Sequence, residues 1–135
     1  MKRRAVPFKA KDLYAPKGPY SHAVRAGDFL FVSGLGPVDP VTGEVVRGAI
    51  EEETRRTLDN LMILLKEASR QAGDVVKTSV YLLDMNDFAA MNAVYARYFS
   101  ENPPARTTIQ AAGLPAGISI EIDAVVYASE EEAGS

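Results

Sequence analysis

Residues 118–127 alternate more strictly than any other stretch of this 135-residue chain. Ile118, Ile120, Ile122, Ala124 and Val126 fall on one side of an extended segment. Ser119, Glu121, Asp123, Val125 and Tyr127 fall on the other. Such a pattern is a strand with one side on a core and the other side left to solvent, a cleft or another chain. Val125 and Tyr127 share the side of Glu121, so that side is not purely solvated and is suited to meet a second chain. A sheet built around this strand needs a cover on its apolar side, and the rest of the chain has to supply it.

Two helical stripes can do so. Ile50, Thr54, Leu58, Leu61, Leu65 and Ala68 recur at steps of three and four, predicting a helix that Gly73 would stop. Glu51, Glu52 and Glu53 in its first turn and Lys66 and Arg70 near its end suit the helix dipole. Glu51–Arg55 and Glu52–Arg56 are expected to pair four apart. A second stripe, Phe88, Met91, Tyr95 and Phe99, follows an N-cap at Asp84 or Asn86 and is closed by Pro103-Pro104. Strands are predicted over 23–26 and 29–33 around a Gly27-Asp28 turn, and over 44–46 as a short strand. Further strands are predicted over 75–83, 106–111 and 118–127. The order strand, strand, short strand, helix, strand, helix, strand, strand predicts an α+β fold, two helices packed on one face of a mixed β-sheet. Residues 1–135 form one domain, with a basic N-terminal extension over 1–13 and a frayed acidic tail over 129–135.

Composition removes several classes of chemistry. There is no cysteine, hence no disulfide, thiolate nucleophile or thiolate metal site, and a reducing compartment, the cytoplasm, fits. The single histidine, His22, cannot build a zinc site. A formal charge of −3 argues against nucleic acid as the partner. The basic N-terminus is followed by no apolar run, so it is not a secretory signal. Leu61-Met62-Ile63-Leu64-Leu65 is far too short to span a membrane.

The residues with chemical promise cluster late in the chain. Pro103-Pro104-Ala105-Arg106 delivers an arginine onto the start of one strand, and Glu121 sits inside the next. Arginine's planar fork matches a carboxylate in two parallel hydrogen bonds. A half-buried glutamate can be raised toward neutrality and trade protons. Together they point to a site that grips a small carboxylic acid and moves protons beside it; the alternative is an ordinary ion pair across adjacent strands. Ser33 has no activating base and is expected to close its strand by hydrogen bonding or to touch a ligand. Gly34-Leu35-Gly36 is a loop, not a dinucleotide fingerprint. His22 reads as a surface strand residue. Asn92 reads as a helix-surface amide, or as one turned into a cleft. Tyr14 and Tyr20 flank Ala15-Pro16-Lys17-Gly18-Pro19, as a pocket wall or as rings packed over a neighbouring surface.

Taken in order, Pro16-Lys17-Gly18-Pro19-Tyr20-Ser21, Phe31-Val32-Ser33-Gly34, Pro37-Val38-Asp39-Pro40, Asn60-Leu61, Val76 to Leu82, Asp84-Met85-Asn86-Asp87-Phe88, Asn92-Ala93-Val94-Tyr95, Pro104-Ala105-Arg106, Leu114-Pro115 and Glu121-Ile122 resemble the RidA/YjgF family of reactive intermediate deaminases. The resemblance runs from about Tyr14 to Val126. It implies a chorismate-mutase-like fold and a homotrimer with sites between subunits. The implied reaction is hydrolysis of small 2-imino or 2-enamino acids to 2-oxo acids and ammonia, with neither metal nor organic cofactor. It implies Arg106 and Glu121 as catalytic residues, with Tyr20, Ser33, Asn92 and Arg106 binding substrate. Leu35 stands where many members have glutamine, and would make the cleft mouth more apolar. Thr108 stands where many have cysteine or another small residue. A non-catalytic 2-oxo acid sensor and an endoribonuclease or translation inhibitor are the alternative functions.

Overall fold

The structure, a computed structural model, describes residues 4–129. Six strands form one sheet: β1 (Ala5–Phe8), β2 (Ala23–Ala26), β3 (Phe29–Leu35), β4 (Val75–Leu82), β5 (Ala105–Gln110) and β6 (Ile120–Tyr127). The strand order is β1-β2-β3-β6-β4-β5. Every pairing is antiparallel except β4 with β5. The strictly alternating last strand is inserted between β3 and β4, near the middle of the sheet. Helix α1 (Ile50–Glu67) links β3 to β4, and α2 (Phe88–Tyr98) links β4 to the parallel β5. Both links are crossovers of the kind parallel strands require.

Leu58, Leu64, Val80, Leu82, Ile120 and Val126 are fully buried between the helices and one side of the sheet. The other side has no helix. Phe29, Phe31 and Ile109 stand exposed there. The predicted α+β layering is the layering observed. No described helix is long and apolar enough to cross a membrane.

Several local expectations are corrected. The predicted strand over 44–46 is only a bridge between Val38 and Val45, because the turn at Asp39 and Gly43 uses up the neighbouring backbone groups. Gly73 does not stop α1. The helix closes earlier, where Ser69 takes φ 58° and the Arg70 and Ser69 N–H groups return to the Leu65 and Lys66 carbonyls at 2.7 and 3.0 Å. Arg55 pairs with Glu52, three positions away, at 3.2 Å, while Arg56 turns to Asn60 instead of Glu52. Within the expected N-terminal extension, β1 pairs with β2, and Ala10 and Leu13 are buried. Of the acidic tail, residues 130–135 lie outside the described residues; Ser129 is buried and its carbonyl accepts a bond from Arg70.

Candidate functional site

Arg106 follows a Pro-Pro turn that fixes where β5 begins, and its strand partner is Thr78 of β4. Directly paired residues project to the same side of a sheet. Thr78 is fully buried under α2, so Arg106 projects to the helix-covered side, at the edge strand. Its guanidinium carbon lies 4.7 Å from the Tyr95 ring centre and 5.6 Å from that of Phe88. Both rings come from the apolar stripe of α2, and the Tyr95 hydroxyl is tied to Thr78 Oγ1 at 2.7 Å. The cation is held by aromatic faces. It makes no ion pair or hydrogen bond to any described residue, so its whole donor fork is available. Two residues on and facing the same way, Thr108 has a buried hydroxyl with no partner.

Glu121 projects to the opposite side. It is paired with Tyr81 of β4, whose hydroxyl donates to Asp123 at 3.0 Å on the open side. Strand β4 also lies between β5 and β6. The ordinary cross-strand ion pair is thereby removed: Arg106 and Glu121 are neither on adjacent strands nor on the same side. Burial raises the Glu121 carboxyl above the usual carboxylate range, and the nearby Asp123 charge adds to the rise.

The wall beside Glu121 comes from an irregularity in β3. Its register with β6 shifts between Val32 and Leu35, placing Ser33 and Gly34 in a bulge. A side chain at Gly34 would put its first carbon 2.7 Å from the Glu121 carboxyl carbon. In the present geometry a side chain there would displace the Glu121 carboxylate, a role the loop reading of the sequence did not find. The Ser33 hydroxyl donates to the Ser21 carbonyl at 2.7 Å, but it does not close its strand as expected, since β3 runs on to Leu35. Tyr14 is buried; its hydroxyl is pushed up chiefly by burial, with the neighbouring Gly36 backbone lowering it and the Glu121 charge adding to the rise. Tyr20 is exposed and its hydroxyl accepts the Lys17 N–H at 3.3 Å, pinning the ring on its own turn. Beside it lies a cavity of about 370 Å³ lined by Pro16, Gly18, Tyr20, Ser21 and His22 among others.

Two readings of the sequence fail here. His22 is buried, not a surface residue. Its Nδ1 accepts the Ala10 N–H at 3.0 Å and its Nε2 donates to the Tyr14 carbonyl at 2.7 Å, so it pins the N-terminal segment to the sheet. Leu35 does not line a cleft mouth either: it pairs with Ile122 past the bulge and is buried in the core. Asn92 is half-buried on α2, with no side-chain bond to another described residue.

The chain thus carries two separate candidate half-sites. One, on the covered side at the β5 edge, offers a free guanidinium on an aromatic cradle. The other, on the open side, offers a desolvated carboxyl beside the β3 bulge, Ser33 and Tyr14. Among the described residues no cluster of His, Asp and Glu could hold a metal ion.

Comparisons with known proteins bear on what such a chain is. The sequence model described as Endoribonuclease L-PSP matches residues 11–128. A RutC family protein of Pyrococcus horikoshii is 51% identical over 112 residues, covering 83% of this chain and 89% of the relative. The 2-iminobutanoate/2-iminopropanoate deaminase of Mus musculus is 44% identical over 108 residues, 80% of each chain. The crystal structure of a conserved Rid family protein, YyfA of Yersinia pestis, superposes with TM-score 0.87 at 32% identity, covering 91% of this chain and 98% of that one.

Proposed function

Because the chain belongs to the YjgF/RidA family, with its chorismate-mutase-like α+β fold, we propose that it hydrolyses small 2-imino and 2-enamino acids, such as 2-iminobutanoate and 2-iminopropanoate, to 2-oxo acids and ammonia. The observation that carries this reading is the unpaired Arg106 fork, held on Tyr95 and Phe88 with no carboxylate of its own. A guanidinium so placed has its partner still to come, and a planar carboxylate is the group it fits.

Arg106 takes the substrate carboxylate in two parallel bonds and so fixes the imine carbon. Glu121, as carboxylate, accepts a proton from a water as that oxygen bonds to the carbon. The electron pair of the C=N bond moves to nitrogen. With the substrate entering as the iminium, this leaves a neutral carbinolamine, and the protonated Glu121 returns its proton to the amine nitrogen. The C–N bond then breaks as the carbinolamine hydroxyl gives its proton to the Glu121 carboxylate; the 2-oxo acid forms, and the ammonia takes that proton as it leaves as ammonium. A carboxyl raised by burial is suited to both transfers near neutral pH. Ser33, Asn92 and Tyr20 orient water and substrate and limit solvent access. No step in this scheme calls on a metal or an organic cofactor.

Within one protomer the two half-sites lie on opposite sides of the sheet. We therefore propose that a neighbouring copy supplies Glu121 to the cleft in which Arg106 stands, in a homotrimer with sites between subunits. The mouse relative's name supports the chemistry. The cysteine-free composition fits a cytoplasmic setting. The ribonuclease sense of the family description is less well supplied, since His22 is committed to Ala10 and Tyr14 and the net charge is −3. The test is to generate the imine in place with a threonine dehydratase and follow 2-oxobutanoate release with and without this protein. Acceleration that saturates with imine supply is expected. Tight 2-oxobutanoate binding without acceleration would make the chain a sensor instead.

A further inference from the structure

Asn60 of α1 is fully buried, and its amide is completely used. Nδ2 donates to the Gly36 carbonyl at 3.1 Å and to the Val38 carbonyl at 2.8 Å. Oδ1 accepts from Arg56 Nη2 at 3.1 Å. Two acceptors on one side and a guanidinium on the other fix which way the amide points. The clamped segment is the continuation of the β3 bulge. Gly34, two residues before Gly36, is the backbone against which the Glu121 carboxylate lies. The Tyr14 hydroxyl lies beside the same Gly36 backbone.

We propose that Asn60 is a positioning residue for Glu121: by clamping the Gly36 and Val38 carbonyls to α1, it holds the Gly34–Gly36 backbone and Tyr14 against the carboxylate and keeps water out. This rests on the reading of Glu121 as the proton carrier, but its structural part does not depend on activity. Only an asparagine-type amide can make the clamp. Aspartate would set a negative charge against two carbonyls, and an apolar residue would take the side-chain donor from both, leaving the Gly36 carbonyl only the Val38 N–H at 2.9 Å. The charged and titratable groups that bear on Glu121 are Asp123 on its own strand, Tyr81 on β4 and Tyr14 before β2. Asp123 and Tyr81 make no bond to Asn60 or to the segment it clamps, whereas Tyr14, beside the Gly36 backbone, is expected to move with the clamp.

The experiment follows the carboxyl ¹³C titration of Glu121 in the full chain, assigned by its loss in Glu121→Gln. Asn60→Ala is compared with wild type and with Leu64→Ala, a core truncation one turn along α1 that donates no hydrogen bond to the Gly36–Val38 segment. In Asn60→Ala, water reaching Glu121 is expected to lower its titration midpoint by about half a pH unit or more. The kcat for imine hydrolysis is expected to fall about tenfold with KM little changed. Leu64→Ala should lose thermal stability and leave the midpoint in place. An unmoved midpoint in Asn60→Ala, or an equal movement in Leu64→Ala, overturns the proposal. If Asn60→Ala does not fold, Asn60→Ser keeps one donor and is expected to give a smaller shift of the same sign; no shift overturns the proposal equally. A fully active Glu121→Gln protein alongside a shifted midpoint in Asn60→Ala would overturn the proton-carrier reading and leave the clamp standing.

Discussion

Glu121 sits where it costs stability. Its folded-state pKa lies above the unfolded value, so the folded chain holds the proton over a pH range in which the unfolded chain has released it. Stability from this group is therefore fully present below the ordinary glutamate range and is lost as pH rises through the folded pKa. Glu121→Gln should melt higher than wild type near neutral pH, and the difference should vanish in acid. Melting temperature as a function of pH measures this. The same variant should lose ~10²-fold or more in imine hydrolysis while retaining 2-oxobutanoate binding. Arg106 makes the complementary case. Arg106→Lys keeps the charge but loses the planar fork and its seat on two rings. The loss in kcat/KM should be on the order of 2–4 kcal/mol, with circular dichroism unchanged. Full activity would leave Arg106 a structural cation. Both residue types, and the roles proposed for them, were legible in the sequence. Which side of the sheet each side chain faces was not, because that depends on register with β4 and not on either local pattern.

At the scale of elements, α1 ends at a serine in a conformation that favours glycine. Ser69 completes both capping bonds of the helix terminus while paying for a left-handed backbone. Ser69→Gly should raise stability by about 1 kcal/mol, measured by urea unfolding with an unchanged slope. No change would show that Ser69 is not strained. The sequence placed both helices correctly through their stripes but put the first stop at Gly73. A helix ends where its last carbonyls find donors, and Gly73 lies in a separate turn that opens β4. The β3 bulge escaped notice for a related reason. Ser33-Gly34 looks like the end of a strand, and only the mismatch of its register with β6 shows that β3 continues to Leu35.

For the whole molecule, the proposed trimer depends on the open side of the sheet. Phe29, Phe31 and Ile109 are exposed on the side where Glu121 stands, and Arg106 stands on the other. Sedimentation at micromolar concentration should give close to three times the 14.6 kDa chain mass. Mixing Arg106→Ala and Glu121→Gln proteins, each inactive alone, should restore about one quarter of wild-type activity after random subunit exchange, because some sites then take both good residues from different copies. A monomer, or a mixture that stays inactive after exchange, removes the intersubunit site.

The layering and the chemistry on offer can both be read from local sequence. Period-2 alternation in residues 118–127 and the two helical stripes require one covered and one open side of a sheet, and Arg106 and Glu121 are the groups that match a carboxylic substrate. Those features are local, since each is carried by spacing along a few turns or one strand. Tertiary structure alone decided that the last strand enters the middle of the sheet and that β4 separates the two key residues. It also decided that His22 and Leu35 are internal, and that Asn60, far along the chain, fastens the wall beside Glu121. These are facts of pairing between distant segments, fixed by which strand edges and buried carbonyls are still unsatisfied once the local elements have formed.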